Sequence, residues 1–180
     1  MKQRPEGLLV PITTPFDEAT GEVAPVTLRD NARALIEAGV DGILAAGSTG
    51  EAALLSEEEY RNVVGWLRDV VPDDRWLLAG AGRESTRATV LACRAATDEG
   101  ANAVLVRPPG YYGPTLSAAA LVDHFRRVAD ESPIPVLIYN IPKYTHVPLS
   151  DQVLAALADH PNIVGAKDSS GDLKNFASYR

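Results

Sequence analysis

The stretch that decides the fold reads Gly42-Ile43-Leu44-Ala45-Ala46, then Gly47-Ser48-Thr49-Gly50-Glu51, then Ser56-Glu57-Glu58-Glu59. Its first five residues are small or apolar and do not alternate with polar ones, which fits a parallel strand covered on both faces. Gly47 and Gly50 break the run into a turn. Ser56 followed three residues later by Glu59 is a capping box, the signature of a helix start. Strand, turn and capped helix make one βα unit.

Working outward, the same pattern recurs. Apolar runs occupy residues 8–11, 42–46, 76–81, 103–106, 136–139 and 163–167, and their starts lie 27–34 residues apart. That interval holds a strand, a crossover helix and the return loops. Helices are expected over 26–38, 57–71, 84–99, 117–131 and 150–159, with Gly39, Pro72, Gly100, Pro133 and Pro161 as punctuation. No linker or low-complexity tract interrupts the pattern, so residues 1–180 read as a single domain.

Six βα units in a row fit a doubly wound sheet or a (β/α)8 TIM barrel. The first strand is not followed by Gly-x-Gly-x-x-Gly, which weakens the dinucleotide-binding version. Chemically capable residues at the ends of several strands favour the barrel, whose sites gather on one rim. A barrel usually takes about 250 residues. The sequence is therefore expected to be a C-terminally truncated barrel, with its first and sixth strands as open edges. Exposing a few hundred Å² of apolar surface costs several kcal/mol at about 25 cal/mol per Å². Poor folding of the 180 residues on their own is the corresponding expectation, with an inactive fragment or a docking partner of a longer relative as the alternative to an enzyme.

Composition narrows the partners. Hydrophobic residues make up 46% and charged residues 23% of 180, which excludes a disordered or collagen-like chain. Seventeen basic and 24 acidic side chains give a net charge of −7, which argues against nucleic acid or an anionic membrane as a partner. The single cysteine, Cys93, leaves no internal disulfide and fits a reducing compartment. No apolar run approaches the roughly 20 residues of a membrane helix. Pro5, Pro11 and Pro15 make the N-terminus a poor signal peptide. A cytoplasmic protein is expected.

Lys167 closes the run Ile163-Val164-Gly165-Ala166-Lys167, and strand parity puts Ile163, Gly165 and Lys167 on one face. A lysine amine held in a partly apolar site is less well solvated as a cation, and its neutral form becomes a nucleophile suited to a ketone. The plain alternative is a solvated lysine at a strand end. Tyr139 ends Val136-Leu137-Ile138-Tyr139, where a phenol can relay protons or only pack. Gly47, Ser48, Thr49 and Gly50 offer backbone and hydroxyl donors for a carboxylate. No P-loop lysine follows them to suit a phosphate. Tyr111 and Tyr112 project from a proline- and glycine-rich loop as lid, subunit contact, site or packing residues, packing being the default for at least one. His124, His146 and His160 lack metal-ligand spacing, so no metal site is expected. Cys93 reads as a small buried or half-buried helix residue, not a nucleophile. Asp168 reads as a loop-capping carboxylate.

Taken together, Pro11-Ile12-Thr13-Thr14-Pro15-Phe16, Gly47-Ser48-Thr49-Gly50-Glu51, Tyr111-Tyr112, Tyr139-Asn140-Ile141-Pro142 and Gly165-Ala166-Lys167-Asp168-Ser169-Ser170-Gly171-Asp172 resemble the dihydrodipicolinate synthase / N-acetylneuraminate lyase family of Schiff-base (β/α)8 barrels. The resemblance implies that Lys167 forms an imine with pyruvate or another 2-oxo acid and that Tyr139 shuttles protons. It implies that Ser48 and Thr49, beside Gly47, contact the substrate carboxylate, with Thr49 also in the hydroxyl relay. Tyr112 matches a tyrosine that reaches into a neighbouring subunit's site, so a homo-oligomer, dimer or tetramer, is implied. No cofactor is implied. Dihydrodipicolinate synthases usually carry an arginine five residues after the catalytic tyrosine and a glycine two further on. Here these positions hold Tyr144, preceded by Lys143, and His146. Residues 160–172 look more like the 4-hydroxy-2-oxoglutarate aldolase branch, with Lys143 a candidate replacement cation. Sugar-acid lyases remain open.

Overall fold

The computed structural model describes residues 4–178. Six strands alternate with helices: β1 (Leu9–Pro11), α1 (Pro25–Glu37), β2 (Gly42–Ala45), α2 (Glu57–Arg68), β3 (Trp76–Gly80), α3 (Thr86–Asp98), β4 (Ala103–Val106), α4 (Ala118–Glu131), β5 (Val136–Asn140), α5 (Pro142–Thr145), α6 (Asp151–Ala155), β6 (Ile163–Asp168) and α7 (Leu173–Ser178). A 3-10 turn, Gly113–Thr115, precedes α4. The strands form one sheet in the order β1-β2-β3-β4-β5-β6. The pairs β1–β2, β2–β3 and β5–β6 are parallel. A doubly wound sheet reverses its strand order part-way across. Here the order advances one strand at a time, as in a (β/α) barrel, and six units are present.

The contacts divide the chain into two compact units. One holds Pro5–Gly80 and Arg94–Val104. In it α1 lies against α2, over buried Leu28, Ile43, Val63, Val64, Leu67 and Leu77. The other holds Ala81–Cys93 and the chain from Leu105 onward. In it α4 lies against α6, over buried Phe125, Val128, Ile138, Leu149 and Leu157. Strands β2 and β4 are buried at every position, as expected for strands covered on both faces.

The helix starts follow their caps. Ser56 Oγ accepts the Glu59 N–H and the Glu59 carboxylate accepts the Ser56 N–H, so the capping box forms. The ends differ from expectation by more than one residue in three places. Helix α2 stops at Arg68, before Pro72, because the Arg68 guanidinium turns onto the carbonyls of Val71 and Pro72 and takes over the exit. Helix α3 starts at Thr86 rather than at residue 84, since Ser85 serves as its cap and Glu84 is drawn to another loop. Helix α6 ends at Ala155, four residues early, in a turn that hands its carbonyls to Leu157, Ala158 and His160.

Candidate active site

Strands β5 and β6 place Tyr139 directly opposite Lys167 in the ladder, on the same face. The Lys167 ammonium lies 4.5 Å from the centroid of the Tyr139 ring. Tyr139 is buried and Lys167 half-buried. The Ser169 hydroxyl donates to the phenol oxygen at 3.3 Å. A β-bulge interrupts the pairing between Val136 and Leu137, so alternation on β6 holds from Gly165 onward and does not extend back to Ile163. A Cβ placed on Gly165 would meet no heavy atom within 4 Å, leaving space beside the amine.

Behind this pair sits a polar clamp. Asn140, only 1% exposed, donates from Nδ2 to Asp168 Oδ2 at 2.6 Å and accepts the Leu149 N–H at 3.1 Å. Its carbonyl accepts the Ser169 N–H. Asp168 Oδ1 accepts both the N–H and the hydroxyl of Ser170. Asp168 is thus the loop-capping carboxylate expected of it.

In the other unit, Ser48 and Thr49 are exposed and the flanking Gly47 and Gly50 are buried. The turn closes on itself: the Gly50 and Ala52 amides donate to the Gly47 carbonyl, and the Glu51 amide to that of Ser48. The buried Thr14 hydroxyl donates to the Gly50 carbonyl at 2.7 Å. A Cβ on Gly50 would stand 2.9 Å from the Ile12 carbonyl oxygen. This corrects the expectation that both glycines free backbone amides for a ligand: the Gly50 amide is spent within the turn, and its glycine serves close packing. The exposed side-chain donors of the turn are the hydroxyls of Ser48 and Thr49.

Tyr111 and Tyr112 are 79% and 71% exposed, with their rings edge to face at 4.8 Å. Neither packs into the chain's own core, contrary to the packing role expected of at least one. Their loop is held by Glu84, whose carboxylate accepts the Gly110 and Tyr111 amides at 2.9 Å and pairs with Arg107. Burial opposes the charge on Glu84, but these three partners outweigh it and hold its carboxyl below the usual range. Beneath the loop lies a cleft of about 290 Å³, lined by Glu84, Thr86, Tyr112, Leu116, Leu121 and His124 among others. His124 is buried, with Nδ1 2.9 Å from the Thr86 hydroxyl, and burial pushes it down to about 4.

The weaker candidates also have places. Lys143 and Tyr144 lie exposed on α5, the ammonium 5.3 Å from the ring centroid. Cys93 is fully buried and burial pushes its thiol up to about 12, so it holds little thiolate. Among the described residues no three His, Cys, Asp or Glu side chains converge to hold a metal ion, and no helix is long and apolar enough to cross a membrane.

The sequence matches the dihydrodipicolinate synthetase family over residues 4–180. The chain belongs to this family. It is 40% identical over 173 residues to a 4-hydroxy-tetrahydrodipicolinate synthase of Methanoculleus marisnigri, covering 96% of this chain and 58% of that protein. It is 41% identical over 179 residues to a protein of Emericella nidulans named "Probable 4-hydroxy-2-oxoglutarate aldolase, mitochondrial", with the same two shares. Among solved structures, the dihydrodipicolinate synthase of Acinetobacter baumannii, complexed with pyruvate, superposes with a TM-score of 0.89 at 36% identity, over 94% of this chain and 57% of that one. The enzyme from Aquifex aeolicus gives 0.87 at 33%, over 95% and 57%. The chain thus spans about 58% of the length of the curated relatives it matches.

Proposed function

We propose that the chain carries the imine-forming residues of a carbon–carbon lyase that acts on pyruvate or a related 2-oxo acid. The observation that carries this reading is the Lys167 ammonium 4.5 Å from the ring of a buried tyrosine whose hydroxyl already has a hydrogen-bonding neighbour. Neutral Lys167 attacks the keto carbon, and the carbonyl electrons become an alkoxide that takes a proton from the Tyr139 phenol. The Tyr139 phenolate takes a proton from the carbinolamine nitrogen and returns it to the hydroxyl, which departs as water and leaves a protonated imine beside the phenolate. That cation accepts the electron pair of the C3–C4 bond while the Tyr139 phenolate takes the 4-hydroxyl proton, releasing an aldehyde and leaving an enamine. Protonation of the enamine and hydrolysis of the imine return pyruvate and free lysine. Run backwards, the same steps form the bond.

In this reading Ser48 and Thr49, on the turn that Gly47 opens, hold the substrate carboxylate through hydroxyl donors, and Thr49 also passes protons. Tyr112 completes the site of a neighbouring subunit in a homodimer or tetramer, which gives its exposed ring a purpose. The chemistry calls on no cofactor, and the cytoplasm is its setting. Tyr144 at the fifth position after Tyr139, with exposed Lys143 beside it, favours cleavage of a 4-hydroxy-2-oxo acid. Condensation of pyruvate with aspartate semialdehyde is the second reading, supported by the relatives named as synthases.

Borohydride reduction in the presence of pyruvate, followed by peptide mass spectrometry, tests the imine. The expected result is a pyruvate-derived adduct on the Lys167 peptide. A folded sample without that adduct overturns the enzymatic reading for this chain in favour of an inactive fragment or docking partner. Comparing pyruvate release from 4-hydroxy-2-oxoglutarate with condensation of aspartate semialdehyde separates the two branches.

A further inference from the structure

We infer that Asn140 and Asp168 form a positioning pair that sets the distance between the Lys167 amine and the Tyr139 phenol. The inference rests on the proposed function and adds two residues to it. Each member follows a reacting residue in the chain: Asn140 comes after Tyr139, and Asp168 after Lys167. Side chains alternate across a strand, so Tyr139 and Lys167 share one face and Asn140 and Asp168 share the opposite one. The two pairs are therefore successive rungs of one ladder, and the rear rung fixes the front one.

The rear rung is specific in its polarity. Asn140 must accept the Leu149 amide with its oxygen, which leaves its NH2 group for Asp168 Oδ2 at 2.6 Å. Asp168 must offer only acceptors, because its other oxygen receives the amide and the hydroxyl of Ser170 at 2.9 and 2.6 Å. Asn140 is 1% exposed, so water does not replace a lost partner cheaply there. The same pair reaches beyond the two strands. The Leu149 contact ties in the segment after α5, and the Ser170 contacts hold the loop that delivers the Ser169 hydroxyl to the phenol. Loosening the rear rung therefore shifts both groups beside the phenol, the Lys167 amine and the Ser169 hydroxyl, at once.

This polarity makes the proposal testable by exchange. Asn140→Asp places two carboxylates against each other. Asp168→Asn presents an NH2 group either to the Asn140 NH2 or to the Ser170 N–H, whichever way the amide is turned. The double variant N140D/D168N restores every bond named above with donor and acceptor exchanged. In it, the carboxylate at position 140 accepts from Leu149 and from the amide at position 168, whose oxygen accepts from Ser170. The experiment is borohydride trapping of the pyruvate adduct in the full chain, with trapping rate followed against pyruvate concentration and a thermal melt of each variant.

Each single variant is expected to lower the trapping rate at saturating pyruvate by about tenfold, with the half-saturating pyruvate concentration unchanged, since the carboxylate-holding hydroxyls are untouched. The exchanged pair is expected to recover to within about threefold of the parent. Ser170→Ala, at a half-buried position, removes one hydroxyl and is expected to slow trapping about two- to fivefold if the single variants do not fold. A single variant that traps at the parent rate overturns the inference. So does an exchanged pair that melts like the parent yet stays as slow as the singles, or a Ser170→Ala variant at the parent rate. A parent protein that forms no adduct on Lys167 overturns the proposed function and this inference with it. A parent adduct with unaffected variants overturns the inference alone.

Discussion

Two strand ends carry the candidate chemistry, and they are built in opposite ways. The turn after β2 is held by backbone: glycines in close contact, amides spent inside the turn, one buried threonine hydroxyl on a carbonyl. The end of β6 is held by side chains: an amide, a carboxylate and two serines. Strand β2 is fully buried, whereas β6 is exposed or half-buried throughout. A backbone-built end tolerates no added atom. A side-chain-built end tolerates changes of volume but not of polarity. The first presents hydroxyls from a fixed frame, and the second brings an amine beside a phenol.

The largest effect that can break this contrast is at Lys167. Lys167→Ala is expected to abolish the trapped adduct completely while leaving the melting temperature within a few degrees of the parent, because the side chain is half-buried and its contact is with one ring. An adduct that persists elsewhere on the chain would move the chemistry away from β6.

Acid sharpens the difference next. The Tyr112 loop and the cleft beneath it depend on His124 and Glu84, whereas the turn after β2 depends on no titrating side chain named in it. His124 is pushed down to about 4 from 6.5, so the unfolded chain binds the extra proton more readily. The sign follows: stability is full above about 6.5 and falls as pH drops towards 4, by on the order of 3 kcal/mol. Glu84, held below its usual range, acts in the same direction at lower pH. Urea unfolding across this window, with and without His124→Gln, measures it, and the variant is expected to flatten the slope.

Two smaller changes address the backbone-built end. Gly80→Ala would put a Cβ 2.1 Å from the Ala46 carbonyl oxygen, where Ala46 already holds φ 45° before the turn. A loss of about 2–3 kcal/mol in urea unfolding is expected. Thr14→Val keeps the shape but leaves the Gly50 carbonyl without its 2.7 Å donor, and about 1–2 kcal/mol is expected to be lost. If Thr14→Val instead left stability intact and weakened pyruvate binding, the threonine would belong to the substrate and not to the frame.

The sequence displayed the alternation of elements because that signal is local: an apolar run, a glycine or proline, a cap such as Ser56 with Glu59. It displayed Lys167 and Tyr139 because strand parity needs only neighbours in the chain. It did not display α5, whose four residues fall below any helical period and end at His146 in a left-handed conformation. It did not display Asn140, Ser169, Glu84 or His124 as parts of the site. Each acts on a residue 26 to 38 positions away, through a pairing that exists only once the strands and helices have met. A weak signal was available for Asn140, a polar residue ending an apolar strand directly after the tyrosine.

The bulge at the start of the β5–β6 ladder has a consequence for how such chains diverge. It works as an expansion joint, with Ile163 paired to Val136 below it and the stretch from Gly165 paired from Leu137 onward above it. A relative one residue longer or shorter ahead of Gly165 can absorb the change at that joint and keep its amine facing the phenol, so spacing upstream of the lysine is a poor guide to whether a distant cousin has kept the arrangement.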